Sequence, residues 1–423
     1  MRHVAFITSI KKIRIQFLLN ISSNMKQFLL LLTMLFSLSC AAQKAFKPVK
    51  TALKDKKYNE AITQIEKLRT DSTFKNNTRL CTYAIEAYRG LNDAENTKIY
   101  LKKSYDTLAF FSTTRELITT ALRLDSIENV LLHQNGDKPK QKHLVCSVLS
   151  QYYPNINAAA RFYYSKSDYN NAMKFLRLSI DLPHSQIGTL AKLPVRVDTT
   201  NSVLYLISAY NAKKYNEVHR YQDTALQAKS TRHIVLRCLA LNAEAENDTT
   251  NYHKYLYEGW KAYPSEAFFF TRLADFYNKH KHYERTLNIA REQLQSKSLY
   301  NAAYLARCAT YYEIHSYDSC IANARNLIAI DSTNAEAHYY IGASYIQKVE
   351  MVAMPQNTST RNYNKALAQR RALFAKAEPE LELFRRMAPQ SQSLWAPLLY
   401  KIYLELNRGD KFAEIEKLLK ESK

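Results

Sequence analysis

The sequence predicts an all-α fold built from stacked pairs of antiparallel helices, and three observations carry that reading. Glycine is scarce: six residues in 423, at positions 90, 136, 188, 259, 342 and 409, alongside ten prolines. Sheet-rich folds of this length need far more turn glycine, whereas long helices joined by short polar turns do not. Hydrophobic residues make up 46% of the chain, enough for a continuous core and too many for a disordered chain. Finally, small and aromatic residues recur at a spacing of 34. A repeating array accounts for the length better than two or three compact globules do.

Near the N-terminus, Met25-Lys26 precedes the apolar run Phe28 to Phe36 and then Ser37-Leu38-Ser39-Cys40-Ala41-Ala42. This charged, apolar, small-residue order is that of a secretory signal, and the run is shorter than the ~20 residues that span a bilayer. Segment 25–42 therefore reads as a signal peptide cleaved before Gln43, and 1–24 as an over-extended start. The rival reading is lipidation of Cys40. A lipoprotein box wants an aliphatic residue three before the cysteine, and Ser37 stands there instead. The expectation is export to the periplasm, with an outer-membrane lipoprotein as the alternative.

Beyond this segment the spacing of 34 can be followed residue by residue. It relates Tyr277, Tyr311 and Tyr345; Ala240, Ala274, Cys308 and Gly342; Tyr283 and Tyr317; and Phe270 and Tyr304. The stretch Ala335-Glu-Ala-His-Tyr-Tyr-Ile-Gly342-Ala-Ser-Tyr345 reads as a first helix. Ser167-Asp-Tyr169-Asn-Asn-Ala172 and Lys57-Tyr58-Asn-Glu-Ala61 lead into second helices. The pattern resembles the tetratricopeptide motif, with a large residue at position 4, small residues at 8 and 20, Tyr at 11 and an aromatic at 17. The resemblance implies a right-handed α-solenoid of about ten antiparallel helix pairs. Small residues at 8 and 20 let paired helices approach closely, and aromatics at 11 and 17 fill the gap to the next pair.

The resemblance divides the chain into diverged helical repeats over 43–150, a regular array over 151–349, and repeat-like units over 350–423. The last segment carries an insertion around Met354-Pro-Gln-Asn-Thr-Ser-Thr360 and a charged capping helix. This C-terminal layout resembles exported tetratricopeptide proteins of Gram-negative bacteria. In the family, first-helix positions 2, 5, 9, 12 and 13 line an inner groove. Carried onto this chain they give Phe268, Asp275, Asn278 and Lys279, then Leu305, Tyr312 and Glu313, then Tyr339, Ile346 and Gln347. That mixture suits an extended protein or peptide partner in the cell envelope. The Lys/Asn pattern of the family's chaperone-tail clamp is not reproduced.

The formal net charge is +22, with five basic residues and no acid inside 1–42. A basic chain invites a nucleic-acid reading, which export argues against. Basic clusters at Lys44–Lys57, Lys138–His143 and Arg361–Arg386 read as solvated helix faces or as contacts to anionic lipid or acidic glycan.

Cys308 and Cys320 occupy positions 8 and 20 of one repeat. Two readings are open: small apolar fillers, or a disulfide that would contribute at most ~3 kcal/mol. Eight of fifteen aspartates are followed by Ser or Thr. Seven of these sites, at Ser72, Thr107, Ser126, Thr199, Thr224, Thr249 and Ser332, resemble an Asp-Ser/Thr-aliphatic O-glycosylation acceptor. The bland reading is capping of helix starts and turns. The 31 tyrosines sit mostly at motif positions and read as core. His280-Lys-His282 supplies too few ligands for a zinc shell, and no HExxH, CxxC, GxSxG or phosphate loop is present. The expectation is a non-catalytic chain without cofactor or metal.

Overall fold

The computed structural model describes residues 44–136, 138–354 and 359–421. The signal segment 25–42 and Cys40 lie outside the described residues. Among the described residues there are helices and turns and no strand. The chain divides into two compact units, 1–212 and 213–423. That division falls inside the stretch where the repeat is most regular, so packing and sequence regularity place their boundaries differently.

The first unit holds α1 (44–54), α2 (Tyr58–Arg69), α3 (Thr78–Tyr100), α4 (Thr107–Asn135), α5 (Lys142–Ser165), α6 (Tyr169–Asp181), a 3-10 turn (Leu182–His184), α7 (Gln186–Leu190) and α8 (Thr199–Asn211). Its core draws on Phe46, Ile65, Leu80, Leu117, Leu124, Leu149, Phe175 and Tyr205, all nearly inaccessible. A polar ladder crosses three helices. Asn201 Nδ2 donates to Asn157 Oδ1 (2.6 Å) and Ser179 Oγ (2.8 Å), and Tyr153 donates to the Ser179 carbonyl (2.9 Å). Every member has a partner, which is the condition for a buried polar group to be tolerated.

The second unit holds α9 (Tyr215–Val218), α10 (Gln222–Ala225), α11 (Arg232–Ala245), α12 (Thr249–Ala262), α13 (Ala267–Lys279), α14 (Tyr283–Gln295), α15 (Tyr300–Glu313), α16 (Tyr317–Ile330), α17 (Ala335–Glu350), α18 (Thr360–Met387), α19 (Gln392–Glu405) and α20 (Gly409–Glu421). Five antiparallel pairs run from α11 to α20, each packed on the next. The pairs are unequal: α9 and α10 are single turns, and α18 has 28 residues against 16 in α17 and 14 in α19.

The small positions do what the sequence asks of them. Ala240, Ala274, Cys308 and Gly342 are all buried. A Cβ on Gly342 would lie 2.5 Å from Leu381 Cγ of α18, so a side chain there would force Leu381 to shift. Tyr277, Tyr317 and Tyr345 are buried at positions 11 and 17, as core tyrosines.

The turns explain the scarcity of glycine. Eight turns following a first helix each place one non-glycine residue in the left-handed region: Lys56, Lys102, Ser167, Lys213, Asn247, Lys281, His315 and Asn407, with φ between 51° and 59°. In all but the turn at Lys213, the next backbone N–H closes on the carbonyl five residues back. Examples are Asp248 to Ala243, His282 to Tyr277 and Ser316 to Tyr311, all at 2.8 Å. These bonds satisfy carbonyls that a helix end leaves unpaired. Lys213, Asn247, Lys281 and His315 repeat at 34 residues although their side chains differ. The next position in that series is Val349, which is helical and fully buried. A β-branched residue resists positive φ. So α17 runs on where its predecessors turn, and the insertion begins there.

Gly342→Ala is expected to lower stability by roughly 1–3 kcal/mol through overpacking against Leu381. Gly409→Ala, with nothing within 4 Å of the added Cβ, serves as the near-neutral control. Urea midpoints of the two variants against the parent check this.

Candidate functional site

The first helices α13, α15 and α17 lie side by side in the second unit, which places their successive positions along one face. Phe268 opens the row at the start of α13. Two guanidinium groups lie over its ring, Arg237 of α11 at 4.8 Å and Arg272 at 4.9 Å. Arg272 is fixed in turn by Glu244 (2.9 and 3.1 Å) and the Tyr252 hydroxyl (3.4 Å). One turn on, Thr271, Asp275 and Lys279 are exposed. With Glu244, Tyr252 and Arg272 they line a cleft of about 570 Å³ between α11, α12 and α13. Asp275 opens onto solvent, yet crowding by the protein around it raises its carboxyl above the ordinary range, and Arg272 only partly opposes this. A cation arriving from a partner would relieve that penalty.

Further along, Leu305 is half-buried and Glu313 exposed. Tyr312 and Tyr339 are half-buried members of an aromatic cluster. Tyr312 packs on Tyr317 (5.7 Å) and Tyr340 (6.0 Å) and accepts from Gln347 (3.3 Å), and Tyr339 packs on Phe384 of α18 (5.2 Å). Two of the ten expected lining residues are corrected. Asn278 accepts from Thr286 (2.7 Å) and Thr310 (3.1 Å), so it ties α13 to α14 and α15 rather than facing a groove. Ile346 is 2% exposed, within the core where the long α18 packs on α17.

Arg237, Glu244, Tyr252 and Arg272 are absent from the sequence expectation. Arg237 and Glu244 stand 34 residues before Thr271 and Asn278, so extending the lining positions one repeat toward the N-terminus finds them. Arg272, at position 6, has no such signal.

The helices meet as the repeat requires: small residues at the closest approach, tyrosines between pairs, and one reversal every 34 residues from Lys213 to His315. The fold is an all-α, tetratricopeptide-like arrangement of antiparallel helix pairs. No protein-family profile matches the sequence, and no curated protein sequence matches it. Among solved structures it is similar to a TPR repeats protein from Bacteroides fragilis, with 16% identity over 63% of this chain and 98% of that one and a TM-score of 0.30. It is also similar to yeast Tom70, with 11% identity over 91% and 92% of the two chains and a TM-score of 0.29.

The remaining candidates of this repeat array fall into place individually. Cys308 and Cys320 face one another across α15 and α16 as free, fully buried thiols, with Cys308 Sγ 3.7 Å from the Cys320 carbonyl. Interaction with Cys320 and burial together hold the Cys308 thiol above its ordinary range. Burial alone pushes Cys238 up to about 12. Of the aspartates before the seven Ser/Thr sites, Asp106, Asp198 and Asp248 cap helices, accepting from Ala109, Asn201 and Asn251 (2.9–3.0 Å). Asp71 and Asp331 cap turns by accepting from the Thr73 and Thr333 amides. Asp125 and Asp223 lie inside helices. Ser72, Ser126, Thr249 and Ser332 are exposed; Thr107, Thr199 and Thr224 are half-buried. His280 bonds to the Phe276 carbonyl (2.7 Å), with the His282 ring 6.4 Å away.

Much of the basic cluster 361–386 is engaged internally. Arg370 donates to the Val349 carbonyl (3.0 Å), Arg385 pairs with Glu414 and covers Trp395, and Lys376 lies over Tyr345. Lys44, Lys47, Lys50, Lys54, Lys56 and Lys57 are exposed, and Lys142 pairs with Asp125.

Two outcomes test this geometry. Because the Asp275 carboxyl is raised on folding, the protonated form is favoured in the native state. The associated stability is present below the unfolded value and lost as pH rises through the folded one. Asp275→Asn should therefore be more stable than the parent at pH 7, with the difference vanishing below the aspartate range, as read from melting temperature against pH. In the folded protein Cys308 and Cys320 should resist a thiol reagent and react only on unfolding. An unreduced, denatured chain in which both stay unreactive would instead reveal a disulfide.

Proposed function

We propose that this protein is a non-catalytic scaffold that binds an extended segment of a partner protein along the first-helix face of its second unit. The observation that carries the reading is the Phe268–Arg272–Asp275–Lys279 row with its adjoining cleft. An aromatic side chain packs against two guanidinium groups, and beside it exposed acid and base present charges of both signs. Such a surface offers an apolar anchor with flanking polar contacts, the usual composition of a peptide-binding groove. Holding Phe268 and Arg272 in place before binding lowers the ordering cost of association.

The setting we propose is the envelope of a Gram-negative bacterium, reached by export. The support is the signal-like order of residues 25–42, with Cys40 as the alternative point of lipid attachment.

Lys279→Glu combined with Glu313→Lys alters exposed groups only and should leave helicity unchanged. Capture of partners from solubilised envelope, followed by affinity measurement of the recovered protein, should show a loss of about tenfold or more for the double variant. Undiminished binding would remove the groove from consideration.

A further inference from the structure

The end of the α3–α4 hairpin, residues 98–108, is unlike the rest of the surface. Ile99, Tyr100, Leu101, Tyr105 and Leu108 are 36%, 87%, 52%, 39% and 58% exposed. They make up five of the twenty large apolar side chains exposed among the described residues, gathered into ten consecutive positions. Singly scattered exposed apolar residues are ordinary; a concentration of this kind marks a contact surface.

Basic side chains outnumber acidic ones at this end. Three lysines flank the apolar residues: Lys98, Lys102 and Lys103. The two acids nearby are occupied within the fold. Glu95 accepts from Lys98 (2.6 Å) and from the Asp106 amide (2.8 Å), and Asp106 caps α4 through the Ala109 amide (2.9 Å). Lys102 and Lys103 have no acid partner among the described residues and are exposed. Lys102 holds the left-handed turn, φ 51°, so the lysines stand at the reversal itself.

We propose that this hairpin end anchors the protein to the surface of an anionic bilayer. Leu101, Leu108 and Ile99 would enter the acyl boundary, Tyr100 and Tyr105 the headgroup region, and Lys102 and Lys103 would pair with lipid phosphates. Tyrosine and lysine beside aliphatic residues is the chemistry of interfacial anchors. A stable protein interface takes about 20–30 residues a side, and a narrow hairpin end cannot supply them. A peripheral anchor works with a few apolar side chains and adjacent cations. The inference does not rest on the groove reading. It also differs from the basic clusters noted in the sequence, which hold no comparable group of exposed apolar residues.

The two native tryptophans, Trp260 and Trp395, are 3% and 4% exposed, so Tyr100→Trp gives the full chain a reporter distinguishable by its solvent access. With vesicles of phosphatidylcholine and phosphatidylglycerol, the exposed emission should shift to the blue and escape acrylamide quenching. With phosphatidylcholine alone, or at high salt, partitioning should weaken by about tenfold or more. In the reporter chain, Leu101→Ser with Leu108→Ser should weaken it by about tenfold or more. Lys102→Glu with Lys103→Glu should remove the preference for phosphatidylglycerol. Circular dichroism matching the parent establishes that each variant is folded. Emission at position 100 that stays water-like at saturating vesicles overturns the proposal, even if the chain pellets with them through another segment. So does shielding that grows with protein concentration in the absence of vesicles, since that identifies a second copy as the occupant.

Discussion

The reversal between the two helices of a pair is the constraint on which the rest of this structure depends. Each reversal needs one residue in the left-handed region, and here that residue is lysine, serine, asparagine or histidine rather than glycine. For most L-residues this conformation costs about 1–2 kcal/mol. It persists because the following amide closes on a carbonyl five residues back and because the helices it brings together bury small residues against one another. Strain at the turn and burial along the pair are two sides of one arrangement. Where the turn fails, at Val349, the pair is rebuilt differently: α18 is twice as long and covers α17.

That rebuilding shapes the candidate groove. In the regular repeats, the exposed side of the first helix keeps groups such as Asp275, Lys279 and Glu313 open to solvent. In the repeat that follows, Phe384 of α18 packs on Tyr339, and Ile346 is withdrawn into the core. The strongest combination of apolar anchor and free charge therefore lies toward α11 and α13. Arg237 and Arg272 both lie over the Phe268 ring there, and Glu244 holds Arg272 in position.

The fold was legible because its determinants are periodic. Ala240, Ala274, Cys308 and Gly342 announce the close approach, and Tyr277, Tyr311 and Tyr345 the filling between pairs, at a spacing that survives changes in residue type. The left-handed positions carry the same period and were not legible, since lysine, asparagine and histidine at 213, 247, 281 and 315 share no side-chain chemistry. The site was legible only in part. Position numbers locate a face but say nothing about what packs over it, so Asn278 and Ile346 were misplaced. The α3–α4 end was missed for a related reason: Ile99, Leu101 and Leu108 look like any helix-core residues until it is seen that no helix among the described residues covers them.

The left-handed turns also bear on how the chain comes to be folded. Each closes a hairpin whose two helices are neighbours in sequence, so most of the native contacts are available over short loops. Wiring of this kind requires no single nucleus: a hairpin anywhere along the array can form first and template the next. The early cost is the unfavourable turn dihedral, met before any neighbour is present to reward it. Hairpins whose turn residue tolerates that dihedral best, such as the one at Asn247, are thus placed to form ahead of those held by lysine or histidine. The array would then be assembled outward from its least strained reversals, in an order set by the backbone rather than by the size of the core.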